Sequence, residues 1–159
     1  MDAQIKNIAK HFKEVYFGGN WTTVNLKDTL SQVTWLQATT KIADLNTIAR
    51  LTYHINYYLK EVSKVLQGEQ LQASDKLSFD VLPIACAEDW KQLVDQVLQD
   101  GSQFALLIEQ LPGTALDTDF TDPKYGSYYR NLNGIIEHTH YHLGQISLIR
   151  KLLVTGDYH

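Results

Sequence analysis

The chain has 159 residues, of which 44% are hydrophobic and 20% are charged, and its formal net charge is -4. These values are typical of one soluble globular domain, which we place over residues 1–159. Because the net charge is negative, nothing attracts nucleic acid or an anionic membrane surface, and we expect a small-molecule substrate or another protein as partner.

The cysteine count and the hydropathy pattern bear on the cellular compartment. Cys86 is the single cysteine, which excludes an intramolecular disulfide and suits a reducing environment. It lies between small and apolar residues, so we predict a buried hydrophobic side chain rather than a reactive thiol. No run approaches the roughly 18 apolar residues of a membrane span, and residues 1–6 carry no signal-peptide core, so we expect a cytoplasmic protein.

The first 45 residues predict one long helix and an irregular connection. Asp2 is a candidate N-cap, and the turn Gly18-Gly19-Asn20 ends the helix. Residues 20–45 then form a long connection with short helical turns near 26–30 and 34–38. The apolar face of the helix consists of Ile5, Ile8, Phe12 and Val15.

A second amphipathic helix is predicted from about residue 46 to residue 66, with Asp44 or Asn46 as its cap and Gly68 beyond its end. His54 lies about 80° from the centre of its apolar face and therefore borders the core. That face consists of Ile48, Leu51, Ile55, Tyr58, Val62 and Val65.

Two further helices are predicted after the loop at residues 68–85. The third runs from about 87 to 110 and is stopped by Pro112-Gly113. Residues 113–127 are polar and carry three spaced aspartates, but they lack the glycine and glutamate of an EF-hand, so we predict a solvated loop. The fourth helix starts near 128 or 132 and ends near Val154. Four periodic helices and no convincing strand predict an all-α protein, a four-helix bundle.

Three of the six histidines, His138, His140 and His142, lie in one stretch of five residues within the predicted fourth helix. At about 100° per residue, His138 and His142 share a face with the apolar stripe, whereas His140 points away and is predicted to be solvated. Two imidazoles in adjacent turns of a core face are either hydrogen-bonded core residues or ligands of a divalent metal. For an arbitrary pair at this spacing, the former is the commoner case.

The sequence resembles the DinB superfamily in two places. His54 stands within Leu51-Thr52-Tyr53-His54-Ile55-Asn56-Tyr57-Tyr58, and the second match is His138-Thr139-His140-Tyr141-His142-Leu143-Gly144-Gln145-Ile146. The resemblance implies a four-helix bundle with up-down-down-up connectivity and a divalent metal, zinc or nickel, held by His54, His138 and His142. It also implies a homodimer, and its better understood members are thiol-dependent enzymes such as bacillithiol S-transferases and mycothiol-dependent isomerases.

From this resemblance we expect a metal-dependent enzyme that activates a small thiol or water, of the S-transferase or hydrolase type. Gln145 is a candidate to bond a metal ligand, and Tyr58 is a candidate to contact a substrate or a metal-bound water. Glu61 and Glu137 are weaker candidates for proton transfer, and we interpret both as ordinary polar residues.

Two alternatives remain open. In the first, the protein is a non-catalytic helical dimer that binds a metal or a hydrophobic ligand. In the second, it holds no metal and its histidines form hydrogen bonds within a wet pocket. We expect the substrate pocket to be formed by residues 18–45 and 113–131.

Overall fold

The computed structural model describes residues 2–156, which form six α-helices and two short 3-10 turns. Four helices are long: α1 (Ala3–Phe17), α4 (Ile48–Leu66), α5 (Ala87–Gln110) and α6 (Tyr128–Thr155). The short helices α2 (Leu26–Ser31) and α3 (Trp35–Thr39) lie in the first connection, and the 3-10 turns (Gly113–Ala115 and Pro123–Tyr125) lie in the last. No strand occurs within residues 2–156, so the all-α prediction is confirmed.

Helix boundaries follow from local capping chemistry. Asp2 caps α1 as predicted, because its Oδ1 accepts a hydrogen bond from Gln4 N at 2.8 Å. The predicted cap of α4 was wrong: Thr47, not Asp44 or Asn46, accepts from Arg50 N at 3.2 Å. Thr47 has extended backbone angles directly before the first helical residue, and only from that position does a short side chain reach the free N–H groups of the first turn.

The long helices pack in a closed ring. Helices α1 and α4 each contact both α5 and α6, and the core between them is apolar. Phe12, Tyr16 and Phe104 form its aromatic part, with ring centroids 4.4 Å apart for Phe12–Tyr16 and 4.8 Å for Phe12–Phe104. A Cβ at Gly101 would lie 2.5 Å from the Tyr16 ring, so glycine permits the close approach of α1 and α5.

The first connection packs against the ring rather than extending from it. Helix α2 contacts α1 and α6, and α3 contacts α4 and α5. Trp90 Nε1 donates to the Val33 carbonyl oxygen at 2.8 Å, which ties the connection to the start of α5. The two predicted helical turns in residues 20–45 are therefore confirmed, and they close the side of the helix ring.

Two predictions about single residues were wrong. Cys86 is exposed, because residues 67–86 cross the surface as a loop and Cys86 lies at the N-cap position of α5, outside the core. His140 is half-buried instead of solvated, because its side of α6 faces α1, where its ring centroid lies 6.2 Å from that of His11.

No helix within the described residues is long and apolar enough to cross a membrane.

Candidate metal centre

Helices α4 and α6 bring three histidines together in the lining of a cavity. His54 comes from α4, and His138 and His142 come from successive turns of α6. One ring nitrogen from each can be chosen so that all three lie within 4.8 Å of one another. His54 is 8% exposed and therefore buried, which corrects our expectation that it only borders the core.

The tautomer of His54 follows from its contact with the loop after α4. His54 Nδ1 lies 3.0 Å from Ser78 Oγ, and the Ser78 hydroxyl donates its only hydrogen to the Asp75 carbonyl oxygen at 2.8 Å. Ser78 Oγ is therefore the acceptor, and His54 Nδ1 carries the proton. The lone pair on His54 Nε2 is left facing the other two histidines.

His142 is oriented in the same way by its own helix. Its Nδ1 lies 2.6 Å from Gln145 Oε1, three residues further along α6. An amide oxygen accepts only, so His142 Nδ1 donates and its Nε2 keeps a lone pair. Gln145 thus contacts a candidate ligand as the sequence suggested.

His138 completes the cluster. Its Nε2 lies 3.1 Å from His54 Nε2, while its Nδ1 is buried and has no hydrogen-bond partner among the described residues. Two nitrogens bound to one ion at about 2.1 Å lie roughly 3.0–3.4 Å apart for octahedral or tetrahedral angles. The 3.1 Å between the Nε2 atoms of His54 and His138 fits this range, whereas the three nitrogens as a set lie within 4.8 Å of one another. Neither an ion at Nε2 nor a hydrogen bond to His54 gives His138 Nδ1 a partner.

The electrostatics keep the three rings neutral. Burial, reinforced by His142 and His54, lowers the pKa of His138 to about 3. Burial also lowers the pKa values of His54 and His142. Neutral imidazoles are the form that binds a metal. Since a single N–H on His138 could satisfy only one of two facing lone pairs, the donor set fits a divalent ion better than a hydrogen-bonded cluster.

Aromatic rings surround the histidines. Phe79 stacks on His54 with centroids 3.9 Å apart and planes inclined by 6°. The ring centroid of Tyr58 lies 5.1 Å from that of His54 and 5.2 Å from that of His138. The Tyr58 hydroxyl donates a hydrogen bond to the Asp75 carboxylate. Burial and Asp75 raise the pKa of Tyr58 to about 12, so its hydroxyl stays protonated at neutral pH.

The cavity beside the cluster has a volume of about 720 Å³. Residues of the segment 113–131 line this cavity, as predicted, but residues of 18–45 do not, because they pack elsewhere. Leu71, Ala73 and Asp75, from the loop after α4, line it instead. Besides the histidines and Tyr58, the lining includes Glu61, Val62, Leu71, Ala73, Asp75, Phe120, Tyr125, Arg130, Asn131, Gly134, Ile135 and Tyr141.

Sequence reasoning undervalued or missed several of these residues. Glu61 is 6% exposed and lines the cavity, with Oε1 paired to Lys64 and Oε2 without a partner, whereas Glu137 is exposed. Helical spacing was the available signal for Glu61, one turn beyond Tyr58. Ser78 and Asp75 carried no signal, because a loop has no periodicity that shows what it covers.

Comparison with known families agrees with this geometry. A model of the DinB superfamily matches residues 20–146, a range that includes all three histidines. No curated protein and no solved structure matches the chain significantly. Since the family model covers most of the sequence, the chain belongs to the DinB superfamily.

Proposed function

We propose that His54, His138 and His142 hold a divalent metal ion, zinc or nickel, and that the protein is a metal-dependent enzyme acting on a small thiol or on water. The observation that carries this proposal is the convergence of three neutral imidazoles, two of them turned inward by Ser78 and Gln145. Imidazole is a ligand that suits both metals.

The residues around the centre suit a reaction of the S-transferase or hydrolase type. A bound divalent ion supplies Lewis acidity, which lowers the pKa of a water or a small thiol towards neutrality. The Tyr58 hydroxyl, whose ring lies beside His54 and His138, donates its one hydrogen to the Asp75 carboxylate, so its oxygen can accept a hydrogen bond from a substrate. The apolar wall, including Phe79 on His54, excludes water from one side of the centre.

A specific observation favours a second candidate, a non-catalytic protein that binds a metal or a ligand. Both carboxylates among the described lining residues already have a partner, Glu61 through Oε1 with Lys64 and Asp75 with Tyr58, which makes each less available for proton transfer, although Glu61 Oε2 has no partner. Turnover of a thiol with a model electrophile by metal-loaded protein separates the two candidates. Absence of turnover across several thiols with both metals favours binding.

We also propose the up-down-down-up connectivity of a four-helix bundle. Tyr16 lies against Gly101 and Asp2 lies against Gly113, which supports an antiparallel arrangement of α1 and α5. Asn56 bonds Asp100, whereas Tyr53, earlier in α4, shares a small cavity with earlier residues of α5, which supports a parallel pair.

The pairing of α4 with α6 supports the last step of this connectivity. His54 meets His142, while Leu51, earlier in α4, shares a cavity with Ile149, later in α6. This order supports an antiparallel pair. A single domain over residues 1–159, a homodimer and a cytoplasmic location remain predictions, as does a small-molecule substrate with no nucleic-acid or membrane partner.

Elemental analysis of untagged protein purified without added metal tests the metal site. We expect about one zinc or nickel per chain in the wild type, and its loss in His54→Ala and His142→Ala. His140→Ala is the matched control, since His140 lies on the same helix but faces α1, and it should retain the metal. Metal retained in His142→Ala, or a wild type that cannot be loaded with zinc or nickel, would contradict the proposal.

A further inference from the structure

Arg130 is a solvent-exposed, unpaired cation among the residues that line the cavity. It is the only lysine or arginine among the described lining residues, and within residues 2–156 its guanidinium forms no ion pair or hydrogen bond. Nearby Lys124 and Lys64, by contrast, pair with Asp122 and Glu61. A guanidinium held at a cavity without a carboxylate partner is available to an anionic ligand.

The loop before α6 holds the stem of this side chain. Gly126 has a φ of 76°, and a Cβ there would lie 2.9 Å from Arg130 Cδ. Gly126 is in turn fixed by its carbonyl oxygen, which accepts from Phe120 N at 2.9 Å. The Arg130 stem therefore lies across a defined part of the loop, which limits the positions that its guanidinium reaches.

The distance along α6 sets the length of the ligand. Arg130 and His138 are eight residues apart, or about 12 Å along the helix axis. Gly134 lies between them and lines the cavity, and a Cβ built on it meets no atom within 4 Å. The wall between the cation and the histidine cluster is thus open, with apolar Leu71 and Ile135 among the lining residues.

We propose that the ligand of this cavity is an elongated molecule with a carboxylate bound by Arg130, an apolar middle part along Gly134, and its reacting end at the three histidines. This inference rests on the proposed function and adds the class of substrate. The substrate is then a chain-like carboxylic acid, such as a thiol acid, rather than a neutral small molecule.

A carboxylate fits better than a phosphate because Arg130 is the only lysine or arginine among the described residues that line the cavity. The first-turn N–H groups of α6 are used: Tyr128 N donates to Thr118 O, Tyr129 N to Leu116 O, and Arg130 N to Ser127 Oγ. The cavity also contains Glu61 and Asp75, whose carboxylates repel a dianion more strongly than a monoanion.

The test uses defined probes and calorimetric titration. Octanoate and octanamide have the same chain length and nearly the same shape, but only octanoate carries a charged, acceptor-only end group; both are titrated into metal-free protein. We expect octanoate to bind about five- to tenfold more tightly than octanamide, as for a charge-assisted hydrogen bond near solvent. Arg130→Gln should abolish this preference, and Arg130→Lys should keep part of it because the charge remains without the planar fork.

Arg150→Gln is the matched control, with the same change of charge on the same helix but outside the cavity; Arg150 Nε contacts Gln32 O. Melting curves establish that each variant is folded. Equal binding of octanoate and octanamide to the wild type, an unchanged preference in Arg130→Gln, or tighter binding of octyl phosphate than of octanoate would overturn the assignment.

A third probe separates this inference from the proposed function. We expect 8-mercaptooctanoate to bind zinc-loaded protein more tightly than metal-free protein, because the thiol then has the metal as a partner. If loading with zinc changes nothing while the preference for octanoate persists, the metal proposal fails and the role of Arg130 stands. If zinc strengthens binding but octanoate and octanamide bind equally, the role of Arg130 fails alone.

Discussion

At the scale of single residues, the centre depends on two side chains that do not face the other histidines directly. Ser78 and Gln145 each accept a hydrogen bond from the Nδ1–H of a histidine, which leaves the lone pair on Nε2 free. Such partners fix the tautomer and ring orientation of a ligand, and their loss commonly costs metal affinity. Gln145 was predicted because it shares a helix with His142, whereas Ser78 was not.

Ser78→Ala tests this role. The change removes the acceptor for a buried N–H, so we expect zinc affinity to fall by about 10–100-fold while the helical content is kept. Competition with a chromophoric chelator measures the affinity, and Ser102→Ala, an exposed serine on α5, serves as the control. Unchanged affinity in Ser78→Ala would show that the loop does not orient His54.

His138 predicts a pH dependence of the metal-free protein. Its folded pKa of about 3 lies below the usual histidine pKa of about 6.5, so the unfolded chain binds more protons between these values. Its contribution to stability is therefore complete above pH 6.5 and is lost as the pH falls towards 3.

We expect this residue to lower the free energy of unfolding by roughly 1 kcal/mol between pH 7.5 and 5, after allowance for its partial exposure. Urea unfolding at the two pH values measures the change. In His138→Gln the decrease should be smaller by that amount, and an equal decrease in variant and wild type would contradict the assignment. The pKa values of His54, His140 and His142 are also lowered, so these residues contribute to the remaining decrease.

At the scale of elements, α6 contains His138 and His142 and also two glycines with unfilled space around them. A Cβ on Gly134 or on Gly144 meets no atom within 4 Å, and both residues lie inside a 28-residue helix. Glycine in a helix interior is less favourable than alanine because of its backbone entropy. The two sites differ in that Gly134 lines the cavity and Gly144 does not.

Alanine at either position is expected to raise the free energy of unfolding by about 0.5–1 kcal/mol. Only Gly134→Ala should also weaken the binding of octanoate, because the added methyl group enters the cavity. Thermal melting and calorimetric titration of both variants give the two measurements, with Gly144→Ala as the matched control. Equal affinity in the two variants would place the ligand away from Gly134.

The elements also show where periodicity is informative. The predicted bounds of α5, 87–110, agree with the structure. Its regular apolar face and Pro112 after its end identify the helix without reference to the rest of the chain. The loop at 67–86 contains no seam, and its residues Ser78 and Phe79 find their place only because the loop folds back on α4. Cys86 was misassigned for the same reason, since apolar neighbours in a loop do not establish burial.

At the scale of the whole molecule, a metal bound at the proposed centre would join α4 and α6, two helices of the ring. Binding to the folded state alone stabilises that state, by about 2.7 kcal/mol when the free ion is at 100 times its dissociation constant. For a chain of this length each kcal/mol raises Tm by roughly 2–4 °C.

We therefore expect zinc at that concentration to raise Tm by about 5–10 °C relative to protein treated with a chelator. Differential scanning calorimetry measures the shift. His142→Ala should show none, and His140→Ala should show the full shift. If the Tm of the wild type is the same with zinc and with chelator, metal binding does not stabilise the folded state. That result would support a wet pocket in which the histidines hold no metal.

The sequence by itself determined the four long helices, the shared face of His138 and His142, and the contact of Gln145 with His142, because each depends on the regular rotation of a single helix. Family resemblance added His54 to this set. Only the tertiary structure decided which loop covers His54, that Glu61 and Arg130 line the same cavity, and that His140 faces α1. These contacts join residues that are distant in the chain, and they follow from how the helices pack, which the periodicity of each helix does not specify.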